Sequence, residues 1–167
     1  NRVQKNFGKT SVNNYNESGY IDPKNYNLKK TNSQNLIFLD KAIWHKNKEI
    51  IKLYFPKNPN HVSLSLNHID NYRISEKSIS CETIDYQSIL NLFNIKNVNI
   101  LKLDIEGAEI KVLSSLLNSK ILPNQILVEF DLRRRPSYKN KKKLNQIHKK
   151  ICDKYELINI NKKGDFT

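Results

Sequence analysis

The chain has 167 residues, of which 38% are hydrophobic, and its formal net charge is +13. This length suits one domain that has its own hydrophobic core. A mean hydropathy of −0.67, with no apolar run near the roughly 20 residues that cross a bilayer, predicts a protein without a membrane span. Cys81 and Cys152 lack the closely spaced partners of a zinc site, so we expect no metal, reduced thiols and a cytoplasmic location.

The positive charge has two interpretations. Arg133, Arg134, Arg135 and the lysine-rich run 139–143 could form a patch for a polyanion, or they could be a solvated loop and the outer face of a helix. The basic residues are mostly dispersed through a Lys-, Asn- and Ile-rich sequence, which favours the second interpretation. No series of aromatic residues accompanies the charges, so nucleic acid is not favoured as a partner.

Apolar spacing along the chain predicts alternating strands and helices. Residues 1–19 are polar and have no clear period, and they are taken as a poorly defined N-terminal segment. Strand patterns follow at 36–39, 49–55, 78–83, 99–103, 125–130 and 155–160, and helical patterns at 85–93, 106–118 and 138–152; a short strand end at 19–23 and a short helix at 26–30 precede them. This alternation predicts an α/β fold with a mainly parallel sheet and helices on both faces.

The most informative stretch is the strand pattern 99–103 and the residues after it. Asp104, Glu106 and Glu109 follow at once, around Gly107, and a helical pattern then begins. Ligands of open α/β sheets bind at the carboxyl ends of the strands. We therefore expect a functional site at this edge of the sheet.

Four segments, in order, resemble the FkbM-type methyltransferases. ILKLDIEGAEIKVLSSLL is the most specific of them, ILPNQILVEFD follows it, and FPKNPNHVSLSL and SCETIDYQSIL precede it. The resemblance covers roughly residues 20–167. It implies a Rossmann-like, S-adenosylmethionine-dependent methyltransferase that acts on hydroxyl groups of saccharides or small natural products.

The resemblance also implies which residues bind the cofactor. Asp22 matches the acid that binds the ribose, Asp40 matches the acid near the adenine amine, and Glu106 belongs to the family's LDIEGAE block. One feature of the family is missing. The sequence has four glycines and no G-x-G, so the first strand and its glycine-rich turn, expected before Asp22, are not found.

Methyl transfer to a hydroxyl needs a base, and Asp104 is our first choice for it, followed by Glu129 at the end of the next strand. The structural alternative is that Asp104 caps the following helix. In the polar loop that contains Pro56 and Pro59 and continues past them, His61, Ser63 and Ser65 are the candidate substrate-binding residues. Trp44 could stack on an adenine ring or belong to the core.

Two hypotheses follow for the whole chain. The first is an active O-methyltransferase domain at residues 20–167 that binds a small molecule or saccharide. The alternative is a truncated, inactive methyltransferase-like domain that binds an anionic partner, because the glycine-rich turn is missing. We expect a domain truncated at both ends, and the oligomeric state stays open.

Overall fold

The computed structural model of the chain describes residues 36–56, 64–66, 74–134 and 137–160. Within these ranges strands and helices mix in an α/β arrangement. The elements are β1 (Ala42–Trp44), β2 (Ile50–Pro56), β3 (Ile74–Asp85), α1 (Tyr86–Leu92), β4 (Ile100–Leu103), α2 (Glu109–Leu116), β5 (Gln125–Val128), a 3-10 helix (Asp131–Arg134) and α3 (Tyr138–Cys152).

The strands of the described residues form two small sheets. In the first, β3 lies between β1, to which it is parallel, and β2, to which it is antiparallel. In the second, β4 and β5 pair in parallel. The predicted parallel pairing therefore holds for β1–β3 and β4–β5 but not for β2. Strands that follow each other along the chain can pair antiparallel through a turn, whereas parallel neighbours need a crossover connection.

Two predicted strands are wrong. Residues 36–39 lie outside any strand, Phe38 is 88% exposed, and β1 begins only at Ala42. An apolar run does not show which residues pair with another strand. In the structure it is β1, and not residues 36–39, that pairs with residues 83–85 of β3. Residues 155–159 also form no strand, and the Tyr155 hydroxyl instead donates to the Pro123 carbonyl at 2.7 Å. The predicted elements at 19–23 and 26–30 lie outside the described residues.

The three predicted helices that fall within the described residues are confirmed: α3 has the predicted ends, and α1 and α2 are shorter than predicted. The Asp85 carboxylate accepts from the Ser88 N–H at 2.7 Å and caps α1. The Ser137 hydroxyl caps α3 in the same way through the Asn140 N–H. No helix within the described residues has the length and apolar character needed to cross a bilayer.

The core is built around α2. Val112, Leu113 and Leu116 are buried on this helix, against Leu103 at the end of β4 and Ile147 of α3. The helix also packs against α1 and β1. This packing holds the start of α2 and the ends of β4 and β5 in a defined position, which is where the candidate site lies.

Candidate functional site at the carboxyl ends of β4 and β5

The two candidate catalytic carboxylates are neighbours in the sheet. Leu103 and Val128 are partners in the β4–β5 ladder, and Asp104 and Glu129 are the residues that follow them. The Glu129 N–H donates to the Leu103 carbonyl at 3.0 Å, which continues the pairing to that point. Both acids therefore lie at the same edge of the sheet, as the order of strands and helices predicts.

The chain between β4 and α2 turns through an unusual backbone conformation. Glu106 has φ 47° and Gly107 has φ 106°. Glycine tolerates positive φ, but a non-glycine residue in the left-handed region is uncommon and costs about 1–3 kcal/mol. These two residues cannot belong to a right-handed helix, so α2 begins at Glu109 and not at the predicted Glu106.

Glu109 holds this turn from inside the protein. Its side chain is 1% exposed, and its Oε1 accepts from the Gly107 N–H at 2.9 Å. Burial raises the pKa of the Glu109 carboxyl, hydrogen bonds from the backbone around Gly107 oppose the rise, and the nearby Asp131 carboxyl adds to it. The sequence showed only an acid in the first turn of a helix, so its burial was missed.

Asp104 does not cap α2. The N-cap of this helix is Ala108, and no side chain makes a capping hydrogen bond there. The structural alternative for Asp104 is therefore wrong. Its carboxylate forms an ion pair with the Lys102 ammonium at 3.7 Å, and its side chain remains 44% exposed. A partly exposed carboxylate at this edge is accessible to a ligand.

A cleft of about 520 Å³ lies beside the turn. Its walls are mainly apolar side chains from β1, β2, β3, α1 and the segment 64–66. Its three polar residues are Lys41, Asp104 and Glu106. The apolar residues that line it are Leu39, Ala42, Ile43, Ile51, Leu53, Leu64, Leu66, Ile84, Ile89, Ile105 and Ala108. Small-molecule sites have volumes of roughly 300–1,000 Å³ and this same composition of apolar walls with a few polar groups. The cleft therefore has the size and lining of a ligand site.

Lys41 is a cleft residue that the sequence did not indicate. Its ammonium donates to the Glu82 carboxylate at 2.6 Å, and this hydrogen bond raises the pKa of Lys41. A basic residue beside an apolar strand carries no signal of its own in a lysine-rich sequence. Only the parallel pairing of β1 and β3 brings this ion pair to the rim of the cleft.

The other predicted site residues have different positions. Asp40 is exposed next to Lys41, and its carbonyl lies 3.9 Å from the Cys81 Sγ, which donates to it. Ser65 pairs with Tyr54 through two backbone hydrogen bonds, and its neighbours Leu64 and Leu66, not Ser65 itself, line the cleft. Asp22, His61 and Ser63 lie outside the described residues.

Trp44 belongs to the core. Its side chain is 8% exposed, its Nε1 donates to the Glu49 Oε2 at 3.2 Å, and the Lys111 ammonium lies 4.6 Å from the centre of a Trp44 ring. The indole is therefore enclosed by protein, and the packing interpretation of Trp44 is the one that the structure supports.

The cleft fits a nucleoside-type cofactor in part. Its apolar walls suit a base, and the Asp104 and Glu106 carboxylates suit hydroxyl donors or a cationic group. Among the described residues Gly107 is the sole glycine at this edge. Within the described residues no group of three or more His, Cys, Asp or Glu side chains is placed to hold a metal ion.

The architecture and the site define an α/β protein with a cleft of ligand size beside the carboxyl end of β4. The methyltransferase FkbM domain matches residues 6–154, and the chain belongs to this family of methyltransferases. No curated protein and no solved structure matches the chain.

Proposed function

We propose that the chain is an S-adenosylmethionine-dependent O-methyltransferase domain that acts on a hydroxyl of a saccharide or small natural product. The observation that carries the proposal is the cleft, which joins Asp104 and Glu106 to apolar walls at the carboxyl end of β4. Family membership supports the reaction type. The two free thiols, Cys81 and Cys152, support a cytoplasmic location.

Asp104 is the proposed base. Its carboxylate is accessible, is not used as a helix cap, and lies on a rigid strand end packed against the core. It would accept the proton of the acceptor hydroxyl and hold that oxygen in the orientation needed for attack. Glu129, the adjacent acid that follows β5, is the proposed second carboxylate. S-adenosylmethionine, when bound, supplies the electrophilic methyl group.

The cofactor-binding role is proposed for Asp22, Asp40 and Glu106. Glu106 has the strongest support, because its carboxylate lines the cleft from a strained backbone position of the kind that collects at functional sites. His61, Ser63 and Ser65 are the proposed substrate-binding residues. Ser65 is supported by its neighbours Leu64 and Leu66 in the cleft wall.

Isothermal titration of the full chain with S-adenosylmethionine, and with its demethylated product, tests this function. We expect heat and a thermal shift with both. Glu106→Gln should weaken binding of both compounds, by roughly 10-fold for one lost charge-assisted hydrogen bond.

The matched control is Glu156→Gln, which removes one exposed carboxylate outside the cleft and should leave binding unchanged. Absence of heat and of a thermal shift with either compound would contradict the proposal. It would favour the alternative of an inactive methyltransferase-like domain, which the missing G-x-G supports.

A further inference from the structure

A strongly basic surface lies on α3, away from the cleft. We name it the lysine stripe: Lys139, Lys142, Lys143, Lys149 and Lys150, all of them exposed. With 3.6 residues per turn they fall within an arc of about 120° and extend over about 17 Å of helix. The opposite side of α3 packs into the core through Leu144, Ile147 and Ile151.

The charge of the stripe is not neutralised within the helix. α3 contains no acidic residue, and the nearest acid along the chain is the exposed C-cap Asp153. In the part of the chain that the structure describes, the ion pairs found involve other lysines. Five like charges on one face favour an anionic partner over a purely solvated role.

An aromatic side chain lies beside the stripe. Tyr138, at the start of α3, is 87% exposed and borders the stripe on the surface of the helix. Exposed apolar groups next to cations are typical of proteins that bind the surface of an anionic bilayer.

Nucleic acid suits this surface less well. Single-stranded nucleic acid is held by series of stacking aromatic residues, and Tyr138 alone does not make such a series. The chemistry of the patch therefore favours lipid headgroups.

We propose that the lysine stripe and Tyr138 form a peripheral binding site for an anionic lipid bilayer. The lysine ammonium groups contact the headgroups at the ends of their flexible side chains, and Tyr138 contributes apolar area at the interface. Because Leu144, Ile147 and Ile151 stay in the core, α3 lies on the bilayer and does not insert into it. This site does not depend on methyl transfer.

Co-sedimentation of the full chain with vesicles tests the site. We expect binding to phosphatidylcholine vesicles that contain phosphatidylserine, no binding to phosphatidylcholine alone, and loss of binding at high salt. Replacement of Lys142, Lys143 and Lys149 by Gln should weaken binding roughly 100-fold, since each lysine contributes about fivefold.

The matched control replaces Lys52, Lys96 and Lys120, three exposed lysines outside α3, by Gln, so both variants have the same net charge. The control should bind within about threefold of the unchanged chain, because charges beyond the screening length contribute little. Equal losses in both variants would overturn the proposal, since net charge alone would then explain binding.

Two further results would also overturn it: no binding to phosphatidylserine vesicles at low salt, or salt-sensitive binding to duplex DNA without binding to vesicles. Circular dichroism checks that the variants fold. If the variant with three stripe lysines replaced does not fold, the single changes Lys142→Gln and Lys52→Gln compare the same two surfaces. Vesicle binding should then weaken about fivefold in Lys142→Gln and should be unchanged in Lys52→Gln.

Discussion

The edge of the β4–β5 sheet is acidic and the outer face of α3 is basic, and the two surfaces differ in how far their charged side chains are exposed to water. The acidic edge, formed by Asp104, Glu106, Glu109, Glu129 and Asp131, is partly internal: Glu109 is 1% exposed and Asp131 is 5% exposed. The lysine stripe is entirely exposed. Glu109 is therefore held in place by a backbone hydrogen bond and by packing, whereas the lysines are held only through their helix.

This difference shows why a net charge of +13 says little about the site. The cleft has two acids and one lysine among its polar residues, in a chain that is basic overall. A charge total averages over surfaces of opposite sign. The chemistry of each surface depends on which side chains the fold brings together and on how much water reaches them.

The largest expected effect that separates the two regions is on catalysis. Asp104→Asn keeps the shape of the side chain but removes the proposed base, so it should lower kcat by at least about 100-fold. The proposed reaction, methyl transfer from S-adenosylmethionine to a saccharide acceptor, measures it. Binding to vesicles should be unchanged, because the lysine stripe is intact.

Asp153→Asn, an exposed acid at the end of α3, is the matched control and should keep full activity. A folded Asp104→Asn variant with normal kcat would show that Asp104 is not the base.

The next effect is on stability. Glu109→Ala leaves the Gly107 N–H without its acceptor and creates a cavity beside α2, so it should lower the free energy of unfolding by about 2–4 kcal/mol. Glu109→Gln keeps a carbonyl acceptor and the volume, and should change it by less than about 1 kcal/mol. Urea unfolding followed by circular dichroism measures both.

The pH dependence of the same variants provides a second measurement. Burial raises the pKa of Glu109, so the folded chain holds this proton to a higher pH than the unfolded chain does. The free energy of unfolding should therefore decrease as the pH rises from the ordinary carboxyl range through the raised pKa. In Glu109→Gln the decrease in the free energy of unfolding that comes from Glu109 should be absent. If the free energy of unfolding falls with pH as steeply in this variant as in the unchanged chain, other groups cause the decrease.

The smallest expected effect is that of a substitution in the lysine stripe on the free energy of unfolding. Lys143→Gln should change the free energy of unfolding by less than about 0.5 kcal/mol, because the side chain is exposed and the two residues have similar helix propensities. The same urea experiment measures it. A loss as large as that of Glu109→Ala would mean that the stripe takes part in packing, and the contrast between the two regions would fail.

Local patterns predicted the elements that have strong periodicity or clear caps. The strands β4 and β5 and the helix α3 lie where the apolar spacing indicates, and Asp85 caps α1. The apolar run 36–39 misled because Leu36, Ile37 and Phe38 remain exposed and pair with no strand. The antiparallel pairing of β2 was also missed, since alternation of strands and helices along the chain does not specify every partner strand.

From the sequence alone came the family resemblance, the α/β class and the acids that follow β4 and β5, because these depend on residue type and spacing along the chain. Tertiary structure alone decided that Glu109 is buried under the turn, that Asp104 is no helix cap, and that Lys41 reaches the cleft. Burial and backbone strain arise from contacts between residues far apart in sequence, and no local pattern records them.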